Sequence, residues 1–384
     1  MKSIPYCRQS LDESDFKSVA KALGSDYLTQ GPKVREFEEA LAAYCGARYA
    51  VAVSNGTAAL HLAAIAAGLG KGDEAITSPI TFLATPNAAL YVGAKPVFAD
   101  IDYSTVNIDP KAIEAKLTRR TKAILPVDMA GLPADMEAIS KIAKRQGLMV
   151  IEDACHALGG EYKKGKVGSC AYSDMTVFSF HPAKHITTGE GGCITTHSKK
   201  LYEKLCSLRS HGVARKASTQ RKMGGWYYEM SELGWNYRIT DIQCALGMSQ
   251  LRKLDGFIDR RRKIAKMYDA GFADMPELRV PSQESRGEKH VYHLYLLRMS
   301  ECHAGTRRSL YDHLKSKNVH CQVHYIPVYR QPYYRKMFGD LSASCPNAER
   351  YYGETLSLPM FFGLKDAEAR YVIRTVREFF KGKA

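Results

Sequence analysis

Four stretches of the chain hold residue types that could do chemistry together. In Ser179-Phe-His-Pro-Ala-Lys184-His-Ile-Thr-Thr-Gly189-Glu-Gly-Gly192, one lysine stands between an apolar run and a glycine-rich turn. Partial burial at such a strand edge lowers a lysine's pKa and frees its amine to attack a carbonyl. Val150-Ile-Glu-Asp153-Ala-Cys-His156 is an apolar run ending in carboxylates and an imidazole. A carboxylate at the carboxyl edge of a parallel sheet faces the ligand crevice. Ser54-Asn-Gly56-Thr57-Ala58-Ala59 opens an alanine-rich helix, whose free amides and positive dipole end suit a phosphate. Thr77-Ser-Pro-Ile-Thr-Phe82 ends in an aromatic able to stack on a flat heterocycle. Ser179, five residues before Lys184, adds a hydroxyl to the phosphate site.

Singly, each stretch has an ordinary alternative. Lys184 reads as a solvated lysine, Asp153 as a helix cap, Phe82 as core and 54–59 as a turn with its N-cap. Jointly they ask for one cofactor. A lysine, a phosphate cradle and a carboxylate that keeps a ring nitrogen protonated suit pyridoxal 5'-phosphate.

The elements that must position these groups alternate. Apolar, β-rich runs cover 49–53, 74–78, 96–100, 123–127, 149–152, 175–180 and 193–196. Helical periods lie between most of them, at 57–67, 87–91, 110–117 and 136–146. This predicts an α/β domain with a mostly parallel sheet. Two helices precede it, one capped near Leu11-Asp-Glu-Ser-Asp-Phe16 and running to Gly24, the other over 33–44. After a helix at 201–209, the polar, basic segment 212–225 reads as a flexible excursion. A long helix over 241–270, with a possible break near Gly256, leads to a smaller C-terminal domain. Strands are expected there at 292–299 and 321–325, and helices at 309–316 and 367–380. The division is residues 1–250, a large domain, and 251–384, a small one, with residues 1–12 packing near the latter.

Composition narrows the function. The 384 residues are 45% hydrophobic and 25% charged, which is globular. No apolar run reaches the ~18 residues of a membrane span, and the N-terminus lacks a signal-peptide core. Ten scattered cysteines without a C-x-x-C pair fit free thiols in the cytoplasm better than disulfides or a metal site. The net charge of +15 invites a nucleic-acid reading. The basic runs, at Arg260-Arg-Arg-Lys263, Arg215-Lys216 and Arg221-Lys222, are not interleaved with aromatics and read as a solvated helix face and a loop.

The motifs together resemble those of the DegT/DnrJ/EryC1/StrS nucleotide-sugar aminotransferases, pyridoxal phosphate enzymes of fold type I. Carrying the resemblance are Leu28-Thr-Gln-Gly-Pro32, Ser54-Asn-Gly-Thr-Ala58, Glu152-Asp-Ala-Cys-His156, Ser179-Phe-His-Pro-Ala-Lys184, Gly189-Glu-Gly-Gly192 and Arg209-Ser-His-Gly212. Gly234-Trp-Asn236-Tyr-Arg238, Asp241-Ile-Gln-Cys-Ala-Leu-Gly247 and Ser357-Leu-Pro359 extend it over nearly the whole chain. Val127-Asp-Met-Ala-Gly131 and Gln322-Val-His-Tyr325-Ile-Pro-Val-Tyr329 are similar to the branch that acts in pseudaminic acid biosynthesis.

The resemblance implies a role for each residue. Lys184 holds the cofactor and shuttles a proton, Asp153 pairs with the pyridine nitrogen, His156 sits near the phenolic oxygen and Phe82 stacks on the ring. Gly56, Thr57, Ala58 and Ser179 hold the phosphate, completed by Asn236 of a second copy, so that active sites are shared in a homodimer. Tyr6, Asp26, Tyr27, Leu28, Thr29, Gly56, Ser179, Asn236, Gln322, Val323, His324 and Tyr325 contact the sugar nucleotide. The implied substrate is UDP-2-acetamido-2,6-dideoxy-β-L-arabino-hex-4-ulose, aminated at carbon four with L-glutamate as donor. The nearest rival is an aminotransferase of the same family with another ketosugar or with amination at carbon three. A sister sugar dehydratase puts histidine at the lysine position, against Lys184. A DNA-binding regulator needs a helix-turn-helix module for which the dozen residues before the first helix leave no room.

Overall fold

The computed structural model describes residues 3–163, 165–214, 217–282, 284 and 287–382. Asp12 caps α1 (Glu13–Leu23) and Asp15 returns a bond to the Asp12 amide, a capping box. Pro32 starts α2 (Pro32–Cys45), which stops at left-handed Gly46. Strands and helices then alternate: β1 (Tyr49–Val53), α3 (Gly56–Ala66), β2 (Glu74–Thr77), α4 (Ala84–Tyr91), β3 (Lys95–Phe98), α5 (Pro110–Lys116), β4 (Thr121–Leu125), α6 (Met136–Gln146) and β5 (Met149–Asp153). A hairpin of β6 (Glu161–Tyr162) and β7 (Gly165–Lys166) precedes β8 (Met175–Ser179), β9 (Gly192–Thr196) and α7 (Lys199–Arg209).

The large sheet has seven strands in the order β1-β9-β8-β5-β4-β2-β3. β9 runs against both neighbours and every other pair is parallel. Both faces are buried, and the strand period of two divides them: Val51 and Val53 pack under α3 and α7, Ala50 and Ala52 under α2. On the α2 side Glu38 accepts from the Ala52 amide at 2.8 Å and pairs with Arg209 of α7, a buried ion pair that ties two helices to β1. Asp153 and Ser179, at the ends of β5 and β8, are thereby fixed at one edge of a rigid sheet.

The chain continues through β10 (Val213–Ala214), α8 (Ala217–Met223) and β11 (Glu229–Met230) to α9 (Asp241–Leu251) and α10 (Leu254–Phe272). A second, three-stranded antiparallel sheet joins β12 (Leu278–Arg279), β14 (Tyr295–Met299) and β15 (Thr355–Leu358), while β13 (Glu288–Lys289) pairs back onto β6. Helices α11 (Arg307–Ser316), α12 (Pro332–Phe338), α13 (Pro346–Glu354) and α14 (Asp366–Lys381) surround it. Tyr268, Tyr295, Leu297, Leu310, Val372 and Val376 form its core, which includes Ile4 from the start of the chain. Ile4 bridges to Val319, and the Tyr6 carbonyl accepts from the Met360 amide at 3.0 Å.

The C-terminal half departs from expectation in several places. Residues 321–325 are not a strand: only Gln322 pairs, with Ser357, before the chain turns inward. The strand expected from residue 292 begins at Tyr295, because Tyr292 has φ +46° and cannot join a ladder. The break in the long helix falls at 252–253, where Leu251 and Leu254 both turn to the core; Gly256 lies inside α10. A single helical glycine costs about 1 kcal/mol and does not oblige a break. Within 212–225 the chain forms α8, and Arg215 and Lys216 lie outside the described residues. The Arg260–Lys263 run is not a uniformly solvated face. Arg261 is buried, Arg260 and Lys263 pair with Asp366, and Arg262 pairs with Glu284. Among the described residues no helix is long and apolar enough to cross a membrane, and no cluster could hold a metal ion.

Candidate active site

One cavity of about 830 Å³ opens at the carboxyl ends of five strands of the large sheet. After β1 come Asn55, Gly56, Thr57 and Ala58; after β2, Thr81 and Phe82; after β4, Val127; at the end of β5, Asp153, Cys155 and His156; at the end of β8, Ser179 and Lys184. The opposite wall is Tyr6, Cys7, His293, Leu294, His324 and Tyr325.

Lys184 sits on the connection between β8 and β9. Its amide donates to the His181 carbonyl at 2.8 Å, while the Thr188 amide and Thr187 hydroxyl both close on the Phe180 carbonyl at 3.0 Å. Burial depresses the ammonium's pKa; the neighbouring Cys155, Asp153 and Cys7 oppose this only in part. The amine is therefore easier to deprotonate than an ordinary lysine.

Asp153 is held by α4. Its Oδ2 accepts from the Thr85 hydroxyl at 2.5 Å and its Oδ1 from the Cys155 amide at 3.2 Å. It is a cavity wall residue, not a helix cap. Behind it Asp128 and Glu152 are both buried. Burial, and then each other's proximity, raise the Asp128 carboxyl well above the usual range, and burial raises Glu152, so the pair retains a proton. Thr176 and Ser173 donate to Glu152 at 2.6 and 3.0 Å.

His156 is buried, with Nε2 3.2 Å from the Tyr325 hydroxyl and Nδ1 without a partner among the described residues. Burial, then Lys184 and the neighbouring His324 and His185, push its pKa well below the usual value, so it is neutral. Phe82 is 57% exposed and lines the cavity, not the core.

The Asn55 side chain accepts from the Ala58 amide at 2.8 Å. Ala58 therefore does not have the free amide expected of it, and the helix end offers those of Gly56 and Thr57 instead. Gly56 lies close to the end of β8: a Cβ there would stand 3.0 Å from the Ser179 Cβ and 3.3 Å from its Oγ, tighter than ordinary contact. This close approach brings the helix terminus and the Ser179 hydroxyl to one spot.

Of the expected nucleotide-sugar contacts, Tyr6, Gly56, Ser179, His324 and Tyr325 line the cavity. Asp26, Tyr27, Leu28, Thr29, Gln322, Val323 and Asn236 do not line it. Thr29 bridges to Thr240 and the Leu28 carbonyl accepts from Asp241, so the 26–29 turn shares a surface with the segment after Asn236. Trp235 and Tyr237 turn their rings onto His61 of α3, at 4.9 and 5.9 Å, and Asn236 between them bridges to Ser210. Thr85, Cys7, His61, Tyr91, Tyr237, His293 and Leu294 were not foreseen. Their meeting depends on contacts far apart in sequence, and no local pattern marks them.

The donor set fits pyridoxal phosphate: a depressed amine, a hydrogen-bonded carboxylate, an exposed aromatic ring, a helix end and a buried imidazole with one nitrogen unpaired among the described residues line one space.

Residues 9–377 match the model of the DegT/DnrJ/EryC1/StrS aminotransferase family. The spore coat polysaccharide biosynthesis protein SpsC of Bacillus subtilis (strain 168) is 44% identical over 382 residues, covering 99% of this chain and 97% of that one. The UDP-4-amino-4,6-dideoxy-N-acetyl-beta-L-altrosamine transaminase of Campylobacter jejuni subsp. jejuni serotype O:23/36 (strain 81-176) is 39% identical, covering 97% and 96%. Helicobacter pylori PseC, an aminotransferase involved in the biosynthesis of pseudoaminic acid, superposes with a TM-score of 0.92 at 34% identity, covering 99% and 100%.

Proposed function

The chain belongs to the DegT/DnrJ/EryC1/StrS aminotransferase family and is a pyridoxal-phosphate-dependent nucleotide-sugar aminotransferase; from that premise we propose that it aminates UDP-2-acetamido-2,6-dideoxy-β-L-arabino-hex-4-ulose at carbon four, with L-glutamate as donor. The product is UDP-4-amino-4,6-dideoxy-N-acetyl-β-L-altrosamine, the sugar in the name of the Campylobacter relative. The observation that carries the reading is the convergence of Lys184, Asp153, His156 and the α3 terminus with Tyr6, His324 and Tyr325 in one cavity.

When bound, pyridoxal phosphate supplies the electron sink and carries nitrogen from donor to ketosugar. Lys184 holds it and moves the proton at the reacting carbon. Asp153 keeps the ring nitrogen protonated, Phe82 covers one ring face, and His156 faces the phenolic side. The Gly56 and Thr57 amides and the Ser179 hydroxyl take the phosphate, with the Ala58 amide kept by Asn55. Asn236 and the 26–29 turn act on the site of a second copy in a homodimer, which accounts for their lying off this chain's own cavity. Residues 1–250 are the cofactor-binding domain and 251–384 the small domain, with residues 1–12 on the latter; the enzyme works in the cytoplasm.

The 44% identity to SpsC favours a second reading, amination of a different nucleotide-linked ketosugar for a surface polysaccharide. Incubation with L-glutamate and a panel of UDP- and dTDP-linked 4-keto-6-deoxy sugars separates the two, reading 2-oxoglutarate and the mass of the product against Lys184→Ala. Preference for the UDP-N-acetyl L-arabino sugar supports the first reading; turnover of another sugar alone replaces it with the second.

A further inference from the structure

His293 occupies a position the chain has constrained from every side. Tyr292, just before it, has φ +46°, a conformation that costs a non-glycine residue about 1–3 kcal/mol and persists only where its surroundings impose it. Here they do. The buried Arg261 guanidinium has no carboxylate partner among the described residues and spends Nη1 on three carbonyls, those of Tyr292, His293 and Met360, at 3.2, 3.1 and 3.0 Å. The Tyr292 ring stacks on His290 with 3.8 Å between centroids, and its amide donates to His290 Nδ1 at 3.0 Å. His185 Nε2 lies 3.1 Å from the Val291 carbonyl, and the Val291 amide donates to the Gly131 carbonyl at 3.0 Å.

The strained segment delivers two side chains to the cavity, His293 and Leu294. The His293 ring lies against His156, with centroids 4.3 Å apart and planes at 35°. His156 in turn places Nε2 3.2 Å from the Tyr325 hydroxyl. Gly131 makes the contact possible: a Cβ there would fall 2.7 Å from the His156 carbonyl and 3.1 Å from the His293 amide.

We propose that His293 is a positioning residue for the transamination, its ring backing the His156 imidazole and fixing that imidazole toward Tyr325 on the phenolic side of the cofactor. The proposal deepens the reading of the preceding subsection and rests on it. The surroundings hold both rings neutral. Burial lowers each pKa well below the usual value, and each is further lowered by Lys184 and His185, His293 also by Arg261 and His156 also by His324. Asp153 and Cys155, on the β5 end, and Tyr325 and Tyr6, across the cavity, complete the groups that face them.

The test compares three variants of the full-length, cofactor-loaded protein: His293→Phe, which keeps a ring, and His293→Leu and His293→Gln, which do not. One ringless variant suffices if the other fails to fold. We expect His293→Phe to keep kcat, and the pH midpoint of the cofactor's visible absorption band, within about threefold and ~0.2 pH unit of the wild type. The ringless variants lose roughly tenfold to a hundredfold in kcat, with the sugar-nucleotide KM little changed, and move the midpoint by about 0.5 unit or more. Adding His156→Phe to a ringless variant costs less than the sum of the two, as residues acting through one another must. A ringless variant with wild-type kcat and midpoint overturns the proposal. So does a His293→Phe variant as impaired as His293→Leu, which would assign the effect to the ring nitrogens. If the wild type aminates none of the ketosugars, the functional reading fails instead, and the midpoint comparison still decides the role of His293.

Discussion

Thr85 donates its hydroxyl to Asp153 Oδ2 at 2.5 Å, and since that proton is spent on a carboxylate, Thr81, 2.8 Å away, must donate to Thr85. Thr85 lies in the first turn of α4 and Thr81 in the segment just before it, and the pair holds the carboxylate that is to meet the cofactor's ring nitrogen. Thr85→Val removes the donor at nearly constant volume. A hydrogen bond to a charged group contributes about 1.5–3 kcal/mol. The expected result is cofactor affinity weaker by roughly tenfold to a hundredfold, measured by titrating the apoprotein, with little change in melting temperature. Unchanged affinity would mean that Asp153 is held adequately by the Cys155 amide alone.

The shared-site reading makes a sharper prediction. Lys184→Ala and Asn236→Ala should each inactivate the protein, one through its own site and one through its partner's. When the two variants are unfolded together and refolded as a mixture, each heterodimer contains one site with both residues intact. Random pairing then restores about a quarter of wild-type activity. No recovery, with heterodimers demonstrated by mass, would place Asn236 in its own chain's site or nowhere near one.

The alternation of apolar runs with helical periods was enough to draw the large sheet, because both of its faces are buried and every strand is marked by its neighbours' burial. Lys184, Asp153, His156, Phe82, Ser179 and the α3 terminus were legible for a related reason: each follows directly on a strand end, where the topology itself forms the crevice. The small domain was less legible. Residues 321–325 are β-rich in composition, yet contacts far along the chain fix their path: His324 Nδ1 lies 2.8 Å from the Ser357 hydroxyl, and the His324 carbonyl accepts from the Tyr351 hydroxyl at 2.6 Å. Arg261 stood in a run of four basic residues and looked like solvated surface. Its burial depends on carbonyls that lie 31, 32 and 99 residues away. Thr85 and His293 carry no local signature at all.

Gly131 can be tested as a packing constraint apart from chemistry. Its φ is +95°, and a Cβ would lie 2.7 Å from the His156 carbonyl and 2.8 Å from Val291 Cγ2. Neither neighbour can yield easily, one being backbone and the other pinned by its bonds to Gly131 and His185. Gly131→Ala should cost about 2–4 kcal/mol, the sum of a positive-φ penalty and overpacking. Urea unfolding reads this as a lowered midpoint with unchanged m-value. A loss under ~0.5 kcal/mol would show that the turn relaxes freely.

Acid should destabilise the fold through its buried histidines. Burial lowers the pKa of His156, His185 and His293 well below the usual value, of His290 to about 3 and of His324 to about 4. Unfolded, each titrates near 6.5. Below that pH the unfolded chain takes up protons that the native protein refuses, so the stability present above pH ~6.5 is lost as pH falls toward the folded values, at up to roughly 1.4 kcal/mol per pH unit for each histidine. The variant that isolates the effect is His290→Asn. Its ring packs on Tyr292 and accepts from the Tyr292 amide, a bond an asparagine carbonyl can replace. Unfolding free energies of wild type and variant, measured at pH 7 and pH 5, should converge by on the order of 1 kcal/mol at the lower pH, the share of one histidine. Parallel losses in the two proteins would mean that His290 is protonated in the native state and that the acid sensitivity arises elsewhere.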